Sequence, residues 1–500
     1  MTEAAHPGDI DHLALDPEDL PSAIAALIGS GGRMQMAYAW HPAPGQIELR
    51  YLGARGPGEG FVMWRCTPRG AVPSLAAISP LLGWYEREIS DLFGVAFRDH
   101  PEPYRLVLHA GVRPALPPLD PDYPADTLLP FEPEEGGLPE SAGSDIQRLP
   151  FGPVRADVVE SAELIFFYVG EHIIHLHPQL FFKHRGMEKR FAGRSLAQAV
   201  VLAERVSGVG SLAHALAFCQ AVERAAGCLV PRRARQLRSL LAELERLYNH
   251  LHYLGHLADT TTLKVGEAEG KLLEERAKQI NGRLTGSRFL RSLLVPGGLR
   301  RDLDPAPWLG GELDRLGEQI APYVRMLENT NSHLDRLITT GILPREIAFD
   351  QGATGPIQRA CGVARDLRID HPYAAYGEWP LAVPVRTEGD AHARAQVRIA
   401  EIDASLALIR HGLALLDDGP VRADCLPPPG SEGLGWAESP RGSLFYAAHF
   451  DEAGALSRVK IKSPSFSNWR VFPLTVHASN MMDYAINEAS FGLTIAGCDR

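Results

Sequence analysis

The spacing of apolar and polar positions divides the first 110 residues into short helical and strand-like segments. Apolar residues recur at helical spacing over 20–27 and 73–93, whereas 36–40 and 47–52 have the apolar pattern of strands. Short helices and strands in this order are typical of a domain in which helices pack on a sheet. We therefore predict a small α+β sandwich over residues 1–110.

The pattern is different over the larger, carboxy-terminal part of the chain. Two strand-length apolar runs, 163–169 and 172–176, meet at Gly170, which predicts a β-hairpin. Helical periodicity dominates after it, and a long stretch opened by Pro231 has one apolar stripe opposite a charged face. Further helices are predicted over 267–281, 311–339 and 391–416. Residues 151–500 should thus form a large, mainly helical domain that starts with a hairpin, and the fold class of the whole chain is α+β.

A segment rich in proline and acidic residues separates the two parts. Residues 111–147 contain eight prolines and eight acidic residues, with Arg113 as the single base. Such a composition can neither pack a core nor hold a regular ladder of backbone hydrogen bonds. We predict an extended linker over residues 111–150.

Composition and charge exclude several classes of protein. The chain has 500 residues, of which 45% are apolar and 22% charged, so it can form ordinary cores and is not disordered. Its 50 Lys and Arg against 61 Asp and Glu give a formal charge of −11, the wrong sign for a nucleic-acid partner. No apolar run approaches the roughly 18 residues of a membrane span, and residues 1–30 lack a basic start and a cleavage site, so we expect a cytoplasmic chain.

Cysteine and histidine spacing gives no self-contained metal site. The six cysteines lie far apart without a C-x-x-C pair, which disfavours a disulfide framework and a zinc or iron–sulfur site. Four histidines crowd into one stretch, namely His172, His175, His177 and His184. A metal site is one interpretation of this cluster. A half-buried strand is favoured, because apolar residues alternate with the histidines and no acidic or cysteine ligand lies at a fixed spacing.

The most informative stretch consists of two charged blocks at a fixed separation. K-H-R-G-M-E over 183–188 is followed by sixteen residues and then by R-V-S-G-V-G-S-L-A-H over 205–214. In physical terms, this places a carboxylate and several cations around a glycine break between helices. Ser211 is available to cap the helix that carries His214. Without the spacing, an ordinary helix–turn–helix corner would explain these residues.

The spacing resembles the first signature of the nickel–iron hydrogenase large subunits. That signature reads R-G-x-E, sixteen residues, R-x-C-G-x-C, three residues and H, with the same counts as in this chain. The family closes with D-P-C-x-x-C-x-x-H or R, and alignment on Arg500 puts Thr494 and Gly497 on the two cysteines. In the first signature, Ser207 and Gly210 stand at the cysteine positions. The resemblance therefore implies that all four thiolate ligands are replaced.

This replacement has a chemical consequence. A hydroxyl is a poor ligand for nickel or iron at neutral pH, and glycine has no ligand atom, so a nickel–iron centre cannot be held in the family's manner. The remaining thiol nearby, Cys498, falls one residue out of place. We expect no metal bound by this chain and no hydrogenase activity of its own.

Further blocks resemble relatives of that family, the complex I core subunit and the energy-converting hydrogenases. W-Y-E-R-E-I-S-D-L-F-G over 84–94, followed by His100, Pro101 and Arg105, is similar to the small peripheral-arm subunit of complex I that docks against the core subunit. The blocks that resemble the core subunit begin at Glu243, Thr285, Pro296, Gly355, Arg359, Asp366, Pro372, Gly389, Glu438 and Arg458. The chain thus looks like a fusion of the two subunits.

This chain also differs from complex I at the positions of the quinone-binding residues. The complex I segment that matches 205–211 reads R-x-D-Y, and its tyrosine falls on Gly208. The hairpin histidine that follows Gly-Pro in complex I falls near Arg155. The resemblance implies that neither of these quinone-binding residues is present.

The resemblance implies a subunit of a membrane-associated respiratory oxidoreductase complex, peripheral at the inner face of the cell membrane. Expected partners are a small subunit with a 4Fe–4S cluster and membrane subunits that translocate ions. Quinone or another acceptor would take the electrons, and NAD would act upstream in the complex. The alternative is a non-catalytic scaffold or conformational transmitter that has lost the nickel–iron site.

Two sets of site residues follow from the resemblance. An inherited cavity is expected to be lined by Arg441, Asp390, Glu188 and His214. Residues expected near the partner's cluster are His184, Arg185 and Ser207. Alternatively, the residues expected to line the cavity form a buried network whose polar groups are all hydrogen-bonded and which fixes the packing of the helices. The segment Glu86–Glu88 and the corner from Arg185 to His214 should be exposed surface that other subunits cover.

Overall fold

The amino-terminal domain is a four-stranded sheet with helices packed against it. The structure is a computed structural model that describes residues 10–124, 128–132, 145–155, 160–306, 308–477 and 479–500. The first elements are β1 (Ile10–Ala14), α1 (Leu20–Gly29), β2 (Arg33–Trp40), β3 (Glu48–Ala54), β4 (Phe61–Cys66), β5 (Val72–Pro73), α2 (Gly83–Phe93) and β6 (Phe97–Arg98). The strand order in the sheet is β1-β4-β3-β2, with β1 parallel to β4 and the other pairs antiparallel.

Burial explains both the helix and the sheet of this domain. In α1, Leu20, Ile24 and Leu27 recur at steps of four and three, and all three side chains are buried. Strands β2 to β4 are buried along almost their whole length, because the sheet lies between its own helices and the rest of the chain. Across this seam, Tyr38 Oη lies 3.1 Å from His449 Nε2. The two domains therefore share a buried interface.

The structure confirms the predicted helix over 20–27 and the strands over 36–40 and 47–52, each slightly longer than predicted. The helix predicted over 73–93 is wrong in its first half. Pro73 pairs with Arg98 in a short parallel ladder, and Pro80 opens a 3₁₀ turn, so α2 begins only at Gly83.

The described part of the predicted linker lies against the larger domain. The ammonium group of Lys189 donates hydrogen bonds to the carbonyls of Pro118 and Tyr123, at 2.7 and 3.1 Å. The end of the segment is not extended linker, because β7 (Gln147–Phe151) begins within it. This strand forms since it pairs antiparallel with the edge of the predicted hairpin. Residues 125–127 and 133–144 of the predicted linker lie outside the described residues.

The larger domain combines two small sheets with a helical body. Its first elements are β8 (Glu163–Val169), β9 (His172–Gln179), α3 (Met187–Arg190), α4 (Leu196–Val206), α5 (Ser211–Ala225), α6 (Arg232–Thr260), α7 (Lys264–Thr285), β10 (Leu294–Val295), β11 (Gly298–Leu299), α8 (Leu309–Glu328) and α9 (Asn331–Leu337). They are followed by α10 (Arg345–Asp350), α11 (Pro356–Ala360), α12 (Leu367–Asp370), α13 (Ala391–Ala414), β12 (Glu432–Ser439), β13 (Gly442–Phe450), β14 (Leu456–Lys462), α14 (Pro464–Val471), α15 (Tyr484–Phe491) and α16 (Ile495–Asp499). Strands β7-β8-β9 and β12-β13-β14 form antiparallel sheets, and the predicted hairpin is β8 and β9.

The long helices depart from the predicted pattern in two places. The predicted helix over 311–339 is two helices, because the side chains of Asn329 and Thr330 donate to backbone carbonyls one turn earlier and compete with the helical ladder. The charged face of α6 is buried in part, since Glu243 accepts a hydrogen bond from Arg368 at 3.0 Å. Among the described residues, no helix is both long and apolar enough to cross a membrane.

Close packing of α5 on β12 gives a stability prediction. A Cβ atom on Gly435 would lie 1.9 Å from the carbonyl oxygen of Ala217, so Gly435→Ala must push the strand off the helix. We expect a loss of at least about 2–3 kcal/mol in the free energy of unfolding. The matched control is Gly311→Ala in α8, where a Cβ meets nothing within 4 Å and alanine should stabilise by roughly 1 kcal/mol. Urea denaturation followed by circular dichroism measures both, and equal midpoints would contradict the packing.

Candidate functional site

The four positions of the hydrogenase thiolates come from opposite ends of the larger domain, and three of them meet. Ser207 ends α4, while Thr494 and Gly497 belong to the start of α16. A Cβ on Gly497 would lie 2.5 Å from Thr494 Oγ1 and 3.6 Å from Ser207 Cβ. The fourth position, Gly210, begins α5, and its Cβ would lie 3.6 Å from the His214 ring. The fold therefore brings together three of the four positions that the resemblance to the hydrogenase signatures singled out.

Two hydroxyl groups at this cluster accept hydrogen bonds from backbone amides. Thr494 is the N-cap of α16 and accepts a hydrogen bond from the Gly497 amide at 3.2 Å. Ser465, from α14, lies 3.2 Å from Thr494 through its hydroxyl oxygen and accepts from the Thr494 amide. Burial raises the pKa of the Cys498 thiol well above its ordinary value, so it is no thiolate. These donor atoms do not fit a nickel–iron centre, and within the described residues no group of three or more His, Cys, Asp and Glu could hold a metal ion.

Arg441 lies in the turn between β12 and β13 and reaches the end of α15. Its Nε donates to the carbonyl of Gly492 at 2.8 Å, and its Nη1 donates to Asn249 Oδ1 at 2.7 Å. Among the described residues, its Nη2 has no hydrogen-bond partner. Burial lowers the pKa of Arg441 to about 10, so the guanidinium stays charged at neutral pH. One donor of a fixed cation is thus available to a ligand.

His214 is a buried, uncharged base near Arg441 and Arg185. Its Nδ1 lies 2.8 Å from the hydroxyl of Tyr446 on β13. Burial, together with the charges of Arg185 and Arg441, lowers the pKa of His214 to about 3. The imidazole is therefore uncharged at neutral pH, and it can exchange a hydrogen bond but not a charge with a ligand.

Arg185 and His184 fasten the chain's last helix. The guanidinium of Arg185 donates to the carbonyl of Val206 at 2.7 Å and to that of Ala496 at 2.9 Å. His184 Nδ1 lies 2.7 Å from the carbonyl of Asp499. Both residues therefore hold α16 against the end of α4, which keeps Ser207 next to Gly497 in space.

Glu188 is the centre of a buried ion network. Arg458 Nη2, Lys460 Nζ and Arg500 Nη1 lie 2.7, 3.2 and 3.1 Å from its carboxylate. Burial alone would raise the pKa of Glu188, but these three cations hold it below its ordinary value. Glu88 of α2 completes the network, because Lys460 and Arg500 also lie 2.7 and 2.9 Å from it. We call these five residues the Glu188 network.

The Glu188 network corrects the prediction that the Glu86–Glu88 segment is exposed. Glu86 is fully buried and Glu88 is 4% exposed. Glu86 accepts hydrogen bonds from Ser74 and from the Leu75 amide. The chain's own carboxy-terminal domain supplies the cations that pair with Glu88, whereas Glu86 finds its partners within the amino-terminal domain.

Asp390 and Arg155 make other contacts, whereas Gly208, the second altered quinone position, directly follows Ser207. Asp390 is the N-cap of α13 and accepts from the amides of Thr339 and Ala393, both at 2.8 Å. The structure therefore does not bring Asp390 into contact with Arg441, Glu188 or His214. Gly208 is exposed after α4. Arg155 pairs with Glu488 at 3.1 Å.

Sequence reasoning missed one carboxylate of the site. Ser211 does not cap α5, because Gly210 is the N-cap residue and the Ser211 hydroxyl donates to Gly208. The amides of Leu212 and Ala213 instead donate to Glu245 of α6, at 2.8 and 3.0 Å. Burial raises the pKa of Glu245 to about 7. Only the E-L-E-R block that carries Glu245 gave a sequence signal, since nothing local to α5 indicates this partner.

This fold and this cluster define a hydrogenase-related large subunit that is fused to a small peripheral-arm domain. The comparisons with known proteins agree. The family model of the respiratory-chain NADH dehydrogenase 49 kDa subunit matches residues 272–430 and 423–500, and that of the 30 kDa subunit matches 16–127. The model of nickel-dependent hydrogenases matches 185–272.

Individual relatives come from both branches. Formate hydrogenlyase subunit 5 of Escherichia coli is 31% identical over 419 residues, which cover 82% of this chain and 74% of that protein. An NADH-quinone oxidoreductase subunit of Acidiphilium cryptum is 30% identical over 485 residues, which cover 86% of this chain and 80% of that protein. A solved chain of the archaeal membrane-bound sulfane sulfur reductase, a respiratory membrane complex, is 26% identical with a TM-score of 0.67. That match covers 72% of this chain and 100% of the other.

The chain therefore belongs to the family of fused 30 and 49 kDa complex I subunits, which is related to the large subunits of nickel–iron hydrogenases. It is a subunit of a complex I-like or hydrogenase-4-like respiratory membrane complex.

Proposed function

We propose that this subunit passes electrons from a 4Fe–4S cluster of a partner subunit to quinone or another acceptor, without a metal centre of its own. The reaction drives ion translocation by the membrane subunits of the complex. The observation that carries the proposal is the cluster of Ser207, Thr494 and Gly497 beside Ser465. It keeps three hydrogenase ligand positions together, but two of them carry hydroxyls and the third is glycine. The place for a reaction is therefore retained and its metal chemistry is not.

Arg441 and His214 are the groups that an acceptor would meet in this proposal. Arg441 offers the Nη2 donor, which suits a carbonyl oxygen or a developing anion. His214 offers a neutral imidazole, whose hydrogen bond with Tyr446 holds the ring in place. Glu188 would not contact the acceptor. Its ion pair with Arg500 holds that residue in place and, with it, the adjoining helix α16. Because Asp390 caps α13, we assign it no part in the reaction.

Two chemical classes of electron acceptor are compatible with this proposal. Quinone is supported by the match to quinone oxidoreductase subunits, although the tyrosine and histidine that complex I uses are Gly208 and Arg155 here. Sulfane sulfur is the second acceptor class, since the solved relative is named for its reduction. Both classes present an atom that gains negative charge on reduction, and Arg441 would stabilise either.

The partner's cluster would approach at the corner between α3 and α4. Phe182, just before α3, and Val201, in α4, are 37% and 38% exposed. His184 and Arg205, which lie close to them in the chain, are also exposed. We call these four residues the docking patch. Exposed apolar side chains next to a cation are suited to cover by another subunit.

A scaffold or conformational transmitter is the second candidate function. It is favoured by the saturation of the site's polar groups, because Thr494 caps a helix and two of the three Arg441 nitrogens are engaged. A transmitter would need only the docking surfaces and the Glu188 network that joins the two domains.

The docking patch gives a direct test of the assembly. Val201→Asp places a charge on an apolar position of the docking patch, so we expect the iron–sulfur subunit to be lost when the affinity-tagged chain is purified from membranes. Val265→Asp is the matched control, because Val265 on α7 is 62% exposed and lies outside the patch. Equal recovery of the iron–sulfur subunit with both variants would contradict the docking site.

A further inference from the structure

A cleft between the amino-terminal sheet and the larger domain contains cations that the proposed function does not use. The cleft has a cavity volume of about 30 Å³ and opens to solvent. Arg33 comes from β2, Lys462 from the end of β14 and Arg365 from the loop before α12. A fourth cation of the lining, Arg55, is already paired with Asp11.

Arg33 is buried without a carboxylate. It is 8% exposed, and its terminal nitrogens donate to Gln358 Oε1 at 2.9 Å and to the carbonyl of Ala353 at 2.8 Å. Its Nε is buried and has no hydrogen-bond partner among the described residues. The guanidinium groups of Arg33 and Arg365 each lie 5.2 Å from the Phe349 ring centre, so the same ring holds both cations at the cleft.

Lys462 is the second buried cation without a carboxylate. It is 2% exposed, and its ammonium group donates to Ser443 Oγ at 2.9 Å and to Gln35 Oε1 at 3.3 Å. Within the described part of the chain, no carboxylate lies within ion-pair distance of Lys462, Arg33 or Arg365. Burial and the charge of Arg33 lower the pKa of Lys462 to about 7, which shows how poorly the surroundings support its charge.

Two of the three carboxylates that line the cleft are paired with arginines. Asp366 pairs with Arg368 at 2.7 Å, and Glu438 pairs with Arg359 at 3.0 Å. Asp370 accepts a hydrogen bond from the Asp366 amide, and burial raises its pKa to about 6, so it still carries a negative charge at neutral pH. Three cations without an ion pair therefore stand against one such carboxylate, and the cleft has an excess of positive charge.

We propose that this cleft binds a small oxyanion of the phosphate or sulfate type, held by Arg33, Arg365 and Lys462. An isolated buried cation is costly, and a bound anion would remove that cost for two such cations at once. The anion is either free or the terminal phosphate of a nucleotide, because both present the same oxygens to guanidinium and ammonium donors. A bound anion would also join β2 to β14 across the seam between the domains. The site is separate from the proposed electron-transfer function.

The test is calorimetric titration of the full chain, in complex with its partner subunits, with inorganic phosphate and with AMP at constant ionic strength. We expect one phosphate per chain and at least a tenfold weaker affinity in Lys462→Gln and in Arg365→Gln. Arg365 is only half-buried, so its variant keeps the test valid if Lys462→Gln fails to fold. Arg276→Gln is the charge-matched control, because this half-buried side chain lies on α7, outside the cleft lining, and donates a hydrogen bond to Gln319.

The titrations also distinguish the two sources of the anion. Tighter binding of AMP than of phosphate assigns the site to a nucleotide phosphate, whereas equal or weaker binding of AMP assigns it to the free ion. Two results would overturn the proposal: no heat of binding with either probe at millimolar concentration, or affinities that are unchanged in both cleft variants relative to Arg276→Gln.

Discussion

Replacing Glu188 with glutamine should cost the folded chain about 3–5 kcal/mol, because three buried cations would lose their central carboxylate. Glutamine keeps the shape of the side chain and removes only its charge, so the loss reports the ion network rather than a cavity. The free energy of unfolding from urea denaturation measures it. The matched control is Asp314→Asn, since Asp314 pairs with Arg410 at the surface and such pairs contribute at most about 1 kcal/mol.

The effect of Glu188 should also depend on pH in a defined direction. The pKa of this carboxylate is lowered in the folded chain, so its stabilisation is fully present above the unfolded value of about 4.3. It is lost as the pH falls from there through the folded pKa. The gap in stability between wild type and Glu188→Gln should therefore be constant at neutral pH and shrink below about pH 4. If wild type and Glu188→Gln were equally stable at neutral pH and differed only in acid, other groups would be neutralising the three cations.

Arg441→Lys should reduce electron transfer to the acceptor by about tenfold or more while assembly stays intact. Lysine keeps a positive charge but has a single ammonium group in place of the fork whose nitrogens reach Gly492, Asn249 and the site. A tenfold loss corresponds to roughly 1.4 kcal/mol of transition-state stabilisation, which is reasonable for a charged hydrogen bond. Acceptor-reductase activity of membranes, beside a native gel of the complex, measures both quantities.

The control for this substitution is Arg410→Lys, an exposed ion pair with Asp314 that should leave activity and assembly unchanged. Loss of assembly and activity together in Arg441→Lys would support the transmitter instead. Unchanged activity with normal assembly would remove Arg441 from the proposed reaction.

The cluster of ligand positions could be anticipated only through the resemblance to the two hydrogenase signatures, which implies that their ligand positions meet. Ser207 lies far along the chain from Thr494 and Gly497, and no local pattern joins them. Helix α1 was predictable for a simpler reason, since its three buried residues repeat at helical steps.

Pairings across the domain seam were not predictable in this way. Glu88 reads as a surface residue of an amphipathic helix until Lys460 and Arg500 are placed beside it. The capping of α5 by Glu245 was unpredictable for the same reason, because this contact depends on how α5 packs against α6. Charged residues that are buried in pairs carry no periodic signal in a single sequence.

In the proposed function, electrons leave the partner's cluster through this subunit without a nickel–iron centre. The most direct measurement is the reoxidation of the reduced iron–sulfur clusters in the purified complex after mixing with quinone or with a sulfane sulfur compound, followed by visible absorbance. Nickel is determined by elemental analysis in the same sample. We predict rapid reoxidation by one of the two acceptors in a chelator-washed complex without stoichiometric nickel. Clusters that stay reduced with both acceptors, or reoxidation that requires one nickel per chain, would contradict the account.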